Sequence, residues 1–215
     1  TKELESAVRR LKAEGHQSIA SLATDVTQQN EVEKALDKLE AEFGPVNAVI
    51  HAAGVYGPVG SLLDVKPEDW FENIRINLFG SFLVSRQSCL RFKKGGGGRL
   101  VLFSGGGAST PFPNYTAYAA SKVAITRFTE TIAEEMAPYG IEVNCIVPGF
   151  VATRLHDDTL RAGKLAGEEF LEFTKEQLKK GGVPATRAAD TAVFLVSDRA
   201  KGITGKLVST VYDGL

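Results

Sequence analysis

Cysteine is almost missing from this sequence: Cys89 and Cys145 are the two in 215 residues. Two thiols cannot build a disulfide framework, so a reducing compartment is expected. Net charge is nearly absent as well, with 25 Lys plus Arg against 26 Asp plus Glu and a formal charge of −1. That balance supplies no basic field for nucleic acid and no polybasic signal for an anionic membrane. No apolar run approaches the ~18 residues that span a bilayer. The opening TKELESAVRR is charged and helical in pattern, which is not a signal peptide. Internal repeats and low-complexity linkers are lacking too. What is there, 43% hydrophobic and 24% charged residues, suits a folded domain and argues against disorder. A single soluble, cytoplasmic domain with a full core is the expectation.

Periodicity then places the elements. Leu4, Val8 and Leu11 recur at helical spacing until Gly15, so the sequence opens inside an element with no strand ahead of it. SIASLATDV (18–26) reads as a strand. A helix follows, with Val32, Leu36, Leu39 and Phe43 on one face, Thr27 as N-cap and Gly44-Pro45 as its end. VNAVIHAAG (46–54) reads as a buried parallel strand running into a glycine turn. Further helices are expected at 67–92, 115–137 and 188–196, with strands at RLVLF (99–103), IEVNCIV (141–147) and the closing ITGKLVSTVYD (203–213). The stretch 152–182 is mixed and charged and breaks the rhythm. Alternation of this kind predicts an α/β fold: a doubly wound parallel sheet between two helical layers.

In open parallel sheets, ligands bind beyond the carboxyl ends of the strands. The loops after ATDV, HAAG, LFSGGG and IVPG are therefore the places to look. The strongest constellation is Tyr118-Ala119-Ala120-Ser121-Lys122, early in a helix, where four-residue spacing stacks Tyr118 and Lys122 on one face. An ammonium beside a phenol favours phenolate and lowers its pKa towards working pH. A tyrosine so tuned can exchange a proton with an alcohol or carbonyl oxygen.

YAASK, the HAAG turn, Asn77 in RINLFGSF, PGFVATR and the closing ITGKLVSTVYDG together resemble the short-chain dehydrogenase/reductase family, in the same order and at similar intervals. The likeness runs from one end of the chain to the other. It implies a Rossmann-like fold, NAD or NADP as cofactor and a small-molecule alcohol or carbonyl substrate, with no nucleic acid, membrane or metal. Residue by residue, it implies Tyr118 as general acid/base and Lys122 as the group that lowers its pKa and holds the nicotinamide ribose. Asn77 would anchor a relay water from a kink in its helix; the alternative is a buried Asn satisfying a helix carbonyl. Asp25 and Val26 would contact adenine, Asp25 also capping a helix next to Thr27. Ala52, Ala53 and Gly54 would lie against the adenosine ribose. Pro148, Gly149, Val151 and Thr153 would bind the nicotinamide amide. A lid over 154–182, and a homotetramer or homodimer through the helices at 67–92 and 115–137, are implied likewise.

Two departures stand out. The family serine belongs thirteen residues before Tyr118, where this sequence has Gly105. Ser104 is the expected substitute if the glycines at 105–107 let the loop rearrange; a backbone N–H or a water is the other donor, and Ser109 is nearer in sequence. His51 replaces the usual first Asn of the glycine turn and reads as a satisfied structural residue. The larger departure is the glycine-rich pyrophosphate loop, which GPVG, GGGG and GGG do not supply, since none follows a strand and opens a helix. A strand–helix–strand unit of about 30 residues or more is missing, so the sequence is expected to be part of a longer chain. Without that unit the strand at 18–26 would face the next strand across a gap. His156-Asp157-Asp158 are consecutive and diverge, so they read as a solvated loop. Cys145 reads as inert core, Cys89 as unreactive.

The reading is a nicotinamide-dependent oxidoreductase interconverting a secondary alcohol and a ketone. A non-catalytic dinucleotide-binding sensor, favoured by Gly105, and a sugar-nucleotide epimerase or dehydratase are the alternatives.

Overall fold

A computed structural model describes residues 2–213. In chain order its elements are α1 (Lys2–Ala13), α2 (Gln29–Phe43), β1 (Ala48–His51), α3 (Pro67–Ile74), α4 (Gly80–Gly95) and β2 (Gly98–Phe103). They continue with α5 (Thr116–Met136), β3 (Ile141–Val147), α6 (Leu155–Ala162), α7 (Glu168–Lys180), α8 (Ala185–Val196) and β4 (Leu207–Ser209). The strands form one parallel sheet in the order β1-β2-β3-β4. No helix among the described residues is long and apolar enough to cross a membrane.

Side-chain alternation explains the three layers. Leu100 and Leu102 of β2, with Ile141, Val143 and Cys145 of β3, pack one face against Phe92 of α4 and Ile125 and Ala133 of α5. Val101 and Ile146 point the other way, onto Ala192 and Leu195 of α8. Strands buried on both faces carry apolar residues at successive positions, which is why IEVNCIV and RLVLF were readable. α2 lies outside α4, its Val32 and Leu36 meeting Val84.

Several expectations need correction. Residues 18–26 form no strand and join no ladder. An extended run becomes a strand only beside a partner whose N–H and C=O groups it can pair with. Among the described residues none lies along the outer edge of β1, where Ile50 is 45% exposed. α1 forms as predicted, but none of its residues is buried. An ion pair between Glu3 and Arg154, both well exposed, reaches it from the chain ahead of α6. The N-cap of α2 is Gln28, not Thr27. Thr27 instead turns its hydroxyl to Asp25 and receives the guanidinium of Arg75.

The helix expected over 67–92 runs on to Gly95 and is interrupted by a π-helical turn at Arg75–Phe79, with Asn77 at its centre. Pro67 starts it at a position where the missing N–H has no cost. Gly96, at φ 85°, ends it by donating its N–H to Phe92 O. The irregular stretch 152–182 is largely helical, as α6 and α7. The closing strand is cut to Leu207–Ser209.

Candidate active site

The first turns of α5 carry Tyr118 and Lys122 beneath the carboxyl end of β2, each only 5% exposed. Lys122 Nζ donates to Phe103 O at 2.9 Å and lies 5.5 Å from the centroid of the Tyr118 ring. Among the described residues this is the ammonium's one hydrogen bond, so a buried triple donor is left mostly unmatched. Burial accordingly lowers Lys122 to about 8. Burial pushes the Tyr118 phenol the other way, above its usual range, and no lowering by Lys122 offsets it. This is the reverse of the direction expected from the sequence.

Two asparagines one turn apart set the floor. Asn77, fully buried, brackets the backbone of Val55: its Oδ1 accepts from Val55 N at 2.9 Å and its Nδ2 donates to Val55 O at 2.9 Å. Its Nδ2 also reaches Ser121 Oγ at 3.0 Å. Asn73 Nδ2 donates to Val55 O and Tyr56 O. The side chain at 77 thus fastens a loop rather than a helix carbonyl. Asn73 was missed, although its i, i+4 spacing to Asn77 on a helix was a usable signal. Gly54 is held so close that a Cβ would stand 3.2 Å from Asn77 Oδ1 and 3.5 Å from Lys122 Nζ.

The serine position resolves by strand geometry. A Cβ on Gly105 would lie 2.3 Å from the Tyr118 phenolic oxygen, so position 105 faces that phenol directly. Ser104 points the opposite way. Its buried Oγ is committed to Lys122 O at 3.1 Å and Thr126 Oγ1 at 3.0 Å. Neighbours on an extended chain face opposite sides, so the substitution of Ser104 for the family serine is corrected. Ser109 is exposed and does not line the cavity described next.

A cavity of about 980 Å³ opens over the strand ends. Ala52 beyond β1, Gly105–Gly107 beyond β2, Val147–Gly149 at the end of β3 and Tyr212 beyond β4 line it, together with Tyr118, Val151 and Thr153. α6 and α7 close its far side with Leu155, His156, Phe170 and Phe173. Aromatic rings crowd there: Tyr56 meets Tyr118 edge-on at 4.8 Å and Phe112 stacks on Tyr115 at 4.4 Å. His156, expected in a solvated loop, is buried on α6, stacked on Phe150 at 3.8 Å and bonded through Nδ1 to Tyr56 Oη at 3.2 Å. Desolvation lowers its pKa, favouring the neutral ring.

The other predicted residues sit elsewhere. Asp25 and Val26 do not line the cavity, nor do Ala53 and Gly54. Asp25 Oδ1 accepts from Thr27 N and Thr27 Oγ1, which together hold its carboxyl below the usual range. Val26 packs where Gly80 has no side chain; a Cβ there would be 2.9 Å from Val26 Cγ2. His51 is buried on the inner side of β1, and its Nε2 has no partner among the described residues, so it is not the satisfied group expected. Desolvation first, then the charge of Lys122, lowers it to about 4. Burial raises both thiols, Cys89 and Cys145, to about 11, which makes them poor nucleophiles.

A sequence family described as Enoyl-(Acyl carrier protein) reductase matches residues 1–214. A short-chain type dehydrogenase/reductase from Picea abies is 32% identical over 86% of this chain and 66% of its own length. The chain belongs to the short-chain dehydrogenase/reductase family. Two solved structures agree. A 3-ketoacyl-ACP reductase from Sinorhizobium meliloti 1021 superposes with a TM-score of 0.83 at 32% identity, over 97% of this chain and 83% of that one. An NAD⁺-bound xylitol dehydrogenase gives 0.86 at 26% identity, over 97% and 84%. The chain spans about two thirds of the length of the first curated relatives it matches.

A solved relative is NAD⁺-bound and curated relatives are named NADPH-dependent reductases, and the residues present fit the nicotinamide half of such a group. Lys122 offers unmatched N–H donors in a dry site. Gly149, at φ 73°, sits where a Cβ would meet Val211 Cγ2 at 2.7 Å, so only a bare backbone passes under the cavity there.

Proposed function

We propose that this chain carries the catalytic part of an NAD(P)-dependent oxidoreductase that interconverts a secondary alcohol and a ketone. The observation that carries the reading is the Tyr118 phenol at the base of the cavity, at the carboxyl end of β2, with the Lys122 ammonium buried one helical turn away. When bound, the nicotinamide supplies hydride exchange with the substrate carbon; the protein's share is placement and proton transfer. Tyr118 gives a proton to the substrate oxygen in reduction and takes it back in oxidation. Lys122 holds ribose hydroxyls with the donors it does not give to Phe103 O and, with its charge one helical turn away, stabilises the phenolate. Pro148, Gly149, Val151 and Thr153 hold the carboxamide. Asn77 keeps the Val55 turn, and with it Gly54, closed against Lys122. With no side chain at 105, the second donor to the substrate oxygen is a backbone N–H of the 105–107 loop or a water.

α6 and α7 serve as the substrate lid. Phe79, Phe82 and Leu90, exposed along the helix of α3 and α4, and the groove that Phe82 and Leu90 form with Phe128 and Ile132 of α5, support self-association into a dimer or tetramer. The two free thiols are in keeping with a cytoplasmic place of work. The rival reading, a dinucleotide-binding sensor without turnover, is favoured by Gly105 alone.

Tyr118→Phe decides between them. In the protein that carries this chain, the variant is expected to lose about 10²- to 10⁴-fold in the rate of hydride transfer, followed by nicotinamide absorbance, while retaining cofactor affinity. If wild type and variant are equally idle yet both bind cofactor, the enzyme reading fails.

A further inference from the structure

The cavity says more about what enters it than the proton-transfer groups do. Among the described residues that line it there is no Lys, Arg, Asp or Glu. The rest of the surface is richly charged; a neighbouring depression holds Arg187, Asp190, Arg199 and Asp213 together. The polar side chains that do line the cavity are few: Tyr118, Tyr56, His156, Thr110, Thr153 and Tyr212. Two of these are spent on each other, since Tyr56 Oη and His156 Nδ1 bond at 3.2 Å. His156 is further occupied by face-to-face stacking on Phe150, with the planes 14° apart.

Around Tyr118 and towards α6 and α7, several rings line the cavity. Phe112 lies edge-on to Phe170 at 4.8 Å and to Tyr118 at 6.2 Å. Phe173 meets Phe150 edge-on at 5.7 Å and stacks near Phe170 at 6.0 Å, while remaining 43% exposed at the rim. Aromatic faces and edges pair best with another ring. A carboxylate or phosphate entering here would shed its water without meeting a cation, and a polyol would leave most of its hydroxyls unmatched.

Resting on the oxidoreductase reading above, we propose that the substrate is an uncharged carbonyl compound, or its alcohol, whose reacting carbon is attached to a flat apolar or aromatic body. That body lies against the cavity side of Phe112 and of the α7 rings Phe170 and Phe173, with its oxygen at Tyr118. The cavity disfavours anionic and polyhydroxylated substrates, because none of the described residues that line it is charged and few of their side chains can hydrogen-bond.

The test compares phenylacetone with phenylpyruvate, which share the ring and differ in a methyl against a carboxylate, and both with D-xylulose. Each is assayed in the protein that carries this chain with NADH and NADPH. The expected result is a kcat/KM for phenylacetone at least about 10-fold above either competitor. Phe173→Ala, at the half-exposed rim where folding is not at stake, lowers that value by raising KM. Phe173→Arg places a cation at the rim and narrows or inverts the preference between phenylacetone and phenylpyruvate. Calorimetric binding of the alcohol 1-phenyl-2-propanol to the cofactor complex supplies a readout independent of turnover. Preference of the wild type for phenylpyruvate or D-xylulose overturns the substrate class and leaves the oxidoreductase reading standing. No hydride transfer to any of the three, with cofactor binding intact and the alcohol unbound, overturns both.

Discussion

SIASLATDV at 18–26 and IEVNCIV at 141–147 have comparable apolar patterns and opposite fates. The second is β3, paired with β2 on one side and β4 on the other, with Val143, Cys145 and Ile146 fully buried. The first joins no ladder, and the apolar stripe of α1 before it is at most half-buried. Local pattern therefore proposes an element, but a ladder partner and a covering layer fix it. The same contrast divides the predicted site. Tyr118 of α5, Gly105–Gly107 beyond β2 and Pro148 and Gly149 beyond β3 line one cavity, whereas Asp25 and Val26, in the segment that joins no ladder, do not.

The largest effect is expected at Gly105. A serine there would have its Cβ 2.3 Å from the Tyr118 oxygen unless the loop or the ring moves. Gly105→Ser is thus expected to shift the phenol by a large fraction of an ångström and cost about 100-fold in kcat, with cofactor affinity little changed. A rise in kcat would instead mean that the loop yields and the new hydroxyl serves as the missing donor. Steady-state kinetics on the variant separates the two.

Much of the site was legible because its spacing is local. Tyr118 and Lys122 lie one helical turn apart, and Pro148-Gly149 ends a strand that is unmistakable in sequence. The π turn at Arg75–Phe79 was signalled only by resemblance, since its residues have no pattern of their own. Which way Ser104 points could not be decided from adjacency in the sequence; it depends on where β2 stops and on Thr126 waiting on α5. The aromatic cage was invisible for a different reason. Tyr56, Phe112, Phe150 and Phe170 come from four separate segments, and the helical stretch that carries Phe170 read as charged and irregular. Helix formation there follows from burying Leu155, Ala166 and Phe170 against the cage, a tertiary cause that no window of sequence contains.

An effect of similar size, on stability, probes the inner side of β1. His51 is 6% exposed, its Nε2 unpartnered, and its folded pKa is about 4 against 6.5 for an unperturbed His. Between those values the unfolded chain takes up a proton that the native state refuses. Stability contributed by keeping His51 neutral is thus complete above pH 6.5 and falls as pH drops towards 4, by about 3 kcal/mol in all. Urea unfolding at pH 7 and pH 4.5 measures it, and His51→Leu, of similar bulk and without a titrating ring, removes that part of the slope. An unchanged slope in the variant would assign the acid sensitivity to other groups.

The smallest effect is expected where the comparison began. Val8 sits on the apolar stripe of α1, the feature by which that helix was recognised, yet no residue of α1 is buried. The exposed Glu3–Arg154 pair that reaches the helix is of a kind that contributes little in water. Val8→Ala is therefore expected to move the free energy of unfolding by less than about 0.5 kcal/mol. Leu102→Ala, an equally apolar truncation at a fully buried site between α4 and α5, is expected to cost about 2–5 kcal/mol. Denaturant midpoints of the two variants, measured side by side, give the ratio directly. Comparable losses would mean that the stripe on α1 is buried in the folded protein after all.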